Sequence, residues 1–92
     1  MKRKLNYINK GRGGQVIYSD SISEIQMEYE FGGGNCIAYI FIPTIQNWEK
    51  ETKRPLAERE EILQFIASQS THDQVSGGYF KITENFIELY KD

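Results

Sequence analysis

The chain has 92 residues, of which 39% are hydrophobic, 26% charged and 13% aromatic, values that suit one globular domain and exclude a disordered segment. One cysteine, Cys36, excludes an internal disulfide, and no apolar run approaches the roughly 18 residues a membrane helix needs. The net charge is −2, with Lys2, Arg3, Lys4, Lys10 and Arg12 giving residues 1–14 a charge of +5 and the remainder carrying −7, so strong attraction to phosphate over the whole surface is excluded.

The first four residues, Met-Lys-Arg-Lys, open like a secretory signal, but Asn6, Asn9, Lys10 and Arg12 interrupt any apolar region after them. Residues 1–4 are expected to be a loosely ordered basic terminus. With a single cysteine and no apolar region after the basic start, the protein is expected to be cytosolic. Twelve Ile against three Ala favour strands over helices. Residues 4–9 alternate weakly and predict a first strand. Lys10–Gly14 is a glycine-rich loop, and Gln15–Ser19 a second strand. Asp20-Ser21 supplies turn chemistry.

Residues 23–31 are the clearest amphipathic strand. Ile25, Met27, Tyr29 and Phe31 alternate with Glu24, Gln26, Glu28 and Glu30. Ser21-x-x-Glu24 matches a helix capping box, but the period of two that follows rules a helix out. Gly32–Asn35 then leads into Cys36–Ile42, an uninterrupted apolar strand ended by Pro43. A two-residue turn at Gly33-Gly34 pairs Phe31 with Cys36, Tyr29 with Ala38, Met27 with Ile40 and Ile25 with Ile42 on one face. The other face receives Ile37, Tyr39 and Phe41 beside Glu28 and Glu30.

Thr44 predicts the cap of a short helix containing Ile45 and Trp48. Pro55 suits the first turn of the main helix, expected over 56–69 with an apolar stripe of Leu56, Ile62, Leu63, Phe65 and Ile66. Arg59 is expected to pair with a nearby glutamate. Residues 70–76, with His72, read as a polar loop. In the last segment a turn at Glu84-Asn85 pairs Phe80 with Leu89 and Ile82 with Ile87 on one face. It sets Lys81 against Glu88 and Tyr79 against Tyr90 on the other. The resulting fold is α+β, β-β-β-β-α-β-β, an antiparallel sheet of five to six strands with one main helix on one face.

Chemistry is sparse. One His and one Cys on different elements do not make a zinc site or a Cys–His dyad, and Cys36 is expected to face the helix as an inert core thiol. Glutamates 24, 28 and 30 share a side, but no Asp/Asn-rich loop joins them in a cation site. Neither glycine loop opens a helix, so neither is a phosphate cradle. No catalytic residue, metal or cofactor is expected.

The remaining feature is the row Ile37, Tyr39 and Phe41 framed by Glu28 and Glu30. Long neighbouring side chains or the 44–52 segment with Trp48 would cover it. Otherwise the face engages a protein partner or a second copy in a homodimer, as in a small acidic inhibitor or immunity-type protein. An alternative reading uses Lys2, Arg3, Lys4, Lys10 and Arg12 to hold nucleic acid. A third places a small molecule between helix and sheet, where every assigned inward position is apolar.

Overall fold

A computed structural model describes residues 2–92. Strands β1 (Lys4–Lys10), β2 (Gly13–Ser19), β3 (Glu24–Phe31) and β4 (Cys36–Phe41) precede a short helix α1 (Trp48–Thr52) and the main helix α2 (Arg59–Gln74). Strands β5 (Tyr79–Ile82) and β6 (Phe86–Tyr90) follow. Every strand pair is antiparallel, and the order across the sheet is β1-β2-β3-β4-β6-β5. The chain is thus an α+β fold with one main helix on one face of a six-stranded sheet.

Alternation along the strands sends Val16, Tyr18, Ile25, Met27, Tyr29, Ile40, Ile87 and Leu89 to the helix side. There they form one core with Trp48, Ile62, Leu63, Ile66 and Ala67. Helix α2 comes close to β1, β5 and β6, so the sheet curls around it and the buried face is concave. A methyl group at Gly14 would collide with the Ile8 carbonyl, so the close approach of β1 and β2 there admits only glycine.

The final hairpin has the predicted register, with Tyr79 opposite Tyr90, Phe80 opposite Leu89, Lys81 opposite Glu88 and Ile82 opposite Ile87. The first loop is shorter than expected. Only Gly11 and Arg12 form it, while Gly13 and Gly14 pair with Lys10 and Asn9. The β3–β4 loop is longer. Phe31 meets Ala38 rather than Cys36, a shift of two residues. The Gly32 N–H still donates to Ile37 O at 2.9 Å, and a turn through Gly34 (φ +61°) and Asn35 is closed by the Cys36 N–H on Gly33 O at 3.2 Å. An even shift preserves faces, so Tyr29, Ala38 and Ile40 remain inside as expected.

Cys36 is the exception. Strands β4 and β6 pair regularly from Ala38–Leu89 to Phe41–Phe86, but a bulge between Cys36 and Ala38 sets Cys36 opposite Tyr90. The extra residue exchanges two side chains. Cys36 leaves the helix-side core and lies beside the Tyr39 hydroxyl, still buried, while Ile37 packs against the core instead.

Helix α2 starts later and ends later than its apolar stripe predicts. Leu56–Glu58 is a single 3-10 turn, and Leu56 is exposed. The polar residues expected as a loop continue the helix because Ser70 and Thr71 are buried and their hydroxyls donate to the Ile66 and Ala67 carbonyls at 2.5 and 2.7 Å. His72 is therefore exposed on the last helical turn. The short helix begins at Trp48, after a turn in which the Asn47 N–H reaches Thr44 O at 3.1 Å. Trp48 is fully buried on the concave side, its indole N–H donating to Pro55 O at 3.0 Å, so this segment does not cover the other face.

Arg54 fastens that connection to the sheet. Its guanidinium donates to both Asp20 carboxylate oxygens at 3.1 and 3.0 Å and to Glu58 at 2.8 Å. Asp20 also accepts the Ile22 and Ser23 N–H groups at 2.9 and 3.1 Å and the Tyr18 hydroxyl at 2.8 Å. Among the described residues Arg59 pairs with no glutamate; it donates to Pro43 O at 2.9 Å and also reaches Glu84 O. Burial alone would raise the Asp20 carboxyl, but the Arg54 guanidinium, the Ile22 N–H, the Tyr18 hydroxyl and the Ser23 N–H hold it well below the usual carboxylate range. A carboxyl depressed below its unfolded value of roughly 3.9 stabilises the fold above that pH and loses the contribution as pH falls through the folded value. Asp20→Asn is expected to lower the unfolding free energy by about 2 kcal/mol near neutral pH. In urea titrations the deficit relative to the natural chain should shrink from about pH 5 towards about pH 2.

Candidate interaction face

The convex face is built by the alternate residues of the same strands. Tyr39 stands between Glu30 on β3 and Glu88 on β6, and Phe41 stands opposite Phe86. Strand β5 extends the row with Tyr79 and Lys81. The Phe86 ring meets Tyr39 and Phe41 edge-on, with centroids 5.8 and 5.2 Å apart. Tyr79 stacks on Tyr90 at 5.1 Å and 10°, and the Lys81 ammonium lies 5.4 Å from the Tyr90 ring centre. The Tyr90 hydroxyl donates to Glu88 at 2.9 Å, and that bond, with some desolvation, pushes its pKa up to about 12. Tyr90 therefore remains a neutral donor at physiological pH.

These rings form an aromatic strip in two groups on β4, β6 and β5, Tyr39 and Phe41 around Phe86 and Tyr79 on Tyr90, with Glu88 and Lys81 between them. They shield one another partly, yet Phe41 and Tyr79 keep 38% and 47% of their surface exposed. Along the border on β3, Glu24, Glu28 and Glu30 are exposed, and none of them has a salt-bridge partner among the described residues. The face thus combines amphipathic rings held in fixed orientations with a free acidic edge.

Of the residues predicted for this surface, Tyr39, Phe41, Glu28 and Glu30 are brought together here. Ile37 is not, because the bulge turns it to the core. Sequence reasoning missed Tyr79, Phe86 and Tyr90 as members of the same surface. Their hairpin register had a signal, the paired Tyr79 and Tyr90, but nothing in the sequence said that β6 would lie beside β4.

The five basic residues do not form one patch. The Arg3 guanidinium is bound to Glu61 at 2.7 Å and lies 5.9 Å from the Phe65 ring centre, on the helix side. Lys4 and Lys10 occupy opposite ends of β1, roughly 20 Å apart at strand spacing, and Arg12 sits in the turn beyond. Lys2 is exposed. Within the basic terminus expected to be loosely ordered, Met1 lies outside the described residues, Arg3 is tied down and Lys4 opens β1.

Among the described residues there is no cluster of three or more His, Cys, Asp or Glu side chains able to hold a metal ion, and no helix long and apolar enough to cross a membrane. No family model, no curated protein and no solved structure matches the chain.

The two sides of β4 should respond differently to substitution. Phe41→Thr is expected to lower stability by no more than about 1 kcal/mol, since it removes a half-exposed aromatic contact and keeps a good strand former. Ile40→Ala, one residue away and 1% exposed, is expected to cost about 2–5 kcal/mol. Chemical denaturation of the two variants reads the difference.

Proposed function

We propose that this chain is a non-catalytic protein-binding domain of the cytosol, and that its convex sheet face takes a partner presenting basic side chains around an apolar centre. The observation that carries this reading is the partly exposed aromatic strip beside three glutamates that have no ion-pair partner among the described residues. Tyr and Phe rings offer large contact areas at a small entropic cost, because few torsions must be fixed. Free carboxylates at the rim steer a cationic partner and reject an anionic one. The same border disfavours nucleic acid, whose phosphates would meet the β3 glutamates. It also disfavours a second copy that would bring those like charges together.

The test is a titration of the isotope-labelled chain with an extended peptide alternating Arg and Leu, followed by NMR. An equally long peptide alternating Glu and Leu is the control, and light scattering fixes the mass throughout. The Arg peptide is expected to shift Tyr39, Phe41, Phe86 and Tyr90 saturably, less so as salt rises through about 0.15 M, and not at all in Tyr39→Glu. Glu28→Lys with Glu30→Lys should weaken binding while leaving the fold intact. Absence of Arg-peptide binding at low salt sinks the reading. A concentration-dependent dimer that Tyr39→Glu dissolves would reassign the face to a second copy.

A further inference from the structure

The concave side holds a cavity of about 160 Å³ beneath the C-terminal half of α2. Its origin is a taper in the buried stripe of the helix. Ile62, Leu63 and Ile66 fill the first half, and the stripe then continues with the much smaller Ala67 and Ser70. On the sheet below, β4 contributes the equally small Ala38. The large side chains around them, Val16, Ile40 and Leu89 among them, cannot close the gap from the side, and the half-buried Tyr7 and exposed Gln74 stand at its rim.

The lining contains no charged side chain. Ser70 is already committed, its hydroxyl donating to the Ile66 carbonyl at 2.5 Å. The Tyr7 hydroxyl donates to Asp73 at 2.7 Å, and burial followed by that bond holds its pKa far above the usual tyrosine value. Tyr7 is thereby fixed as a neutral phenol, and its oxygen, which the Gln74 side-chain amide at the rim also addresses, is the polar acceptor at the cavity mouth. The Asp73 carboxylate behind it repels an anion. An apolar cavity of about 150 Å³ holds one benzene ring and stays dry when empty.

We propose that this cavity is a binding site for a small neutral ring compound bearing one hydrogen-bond donor. The ring lies between Val16, Ala38 and Leu89, and the donor points to the hydroxyl oxygen of Tyr7. The site is on the opposite side of the sheet from the aromatic strip and does not depend on the protein-binding reading.

The labelled full chain is titrated with 4-methylphenol, with 4-hydroxybenzoate as a ring of similar size carrying a carboxylate. Saturable shifts of Ala38, Ile40, Ser70 and Gln74 amides are expected, with nuclear Overhauser contacts from the ligand to the Val16 and Leu89 methyl groups. The benzoate should produce neither. Ala38→Leu fills the cavity from the sheet side and should abolish 4-methylphenol binding while thermal unfolding stays cooperative. Ser70→Val fills it from the helix side and serves if the first variant does not fold. Shifts that never saturate, equal binding of the benzoate, or contacts to Phe41 or Phe86 would each overturn the assignment. The last result would place the ligand on the convex face.

Discussion

One helix has to close one whole face of a six-stranded sheet, and the rest of the structure follows from that constraint. A helix is about 10 Å across with its side chains, whereas six strands at ~4.8 Å spacing span roughly 24 Å if the sheet is flat. Curling the sheet resolves the mismatch, since β1 and β5 both come near α2. Large side chains such as Tyr18, Tyr29 and Trp48 fill the width the helix leaves, and the Asp20–Arg54 pair holds the connector carrying Trp48 against the same side. Every covering element is then spent on the concave face. The convex face is left with its own side chains, and for β4, β6 and β5 those are mostly rings, interrupted by Glu88 and Lys81.

The bulge at the start of β4 sharpens this division. Without it, strict alternation would put Cys36 under the helix and Ile37 on the convex side. With it, Ile37 joins the core and Cys36 lies beside the Tyr39 hydroxyl. The convex face loses an aliphatic residue and becomes more uniformly aromatic. A surface of Tyr and Phe tolerates water better than one of Ile, because hydroxyls and ring edges can be solvated. The fold can therefore leave it open in the free chain and still offer it to a partner.

Much of this was legible in the sequence. Period-two alternation placed β3, the paired charges and rings of 79–90 gave the last register, and parity assigned Ala38 and Ile40 of β4 to the inner face despite a loop two residues longer than expected. The remainder depended on information that is not local. Ser70 to Gln74 look like loop residues until a buried environment makes their hydroxyls turn back onto the helix carbonyls. The bulge at Cys36 leaves no mark in a run of apolar residues. The neighbourhood of β4 and β6, which joins Tyr39 and Phe41 to Phe86, Tyr90 and Tyr79, is set by tertiary packing around α2. Candidate residues could thus be named strand by strand, while the surface they form together could not.

Phe41 and Tyr79 leave the convex aromatic strip open to solvent in the free chain. Paramagnetic relaxation of aromatic protons by a neutral gadolinium chelate, recorded in dilute solution, measures that exposure ring by ring. The Phe41 and Tyr79 rings should relax strongly, Tyr39, Phe86 and Tyr90 to an intermediate degree, and Tyr18, Tyr29 and Trp48 hardly at all, following their burial. Protection of Phe41 and Tyr79 equal to that of Tyr18 and Trp48 would mean that the face is already covered, and would contradict the claim.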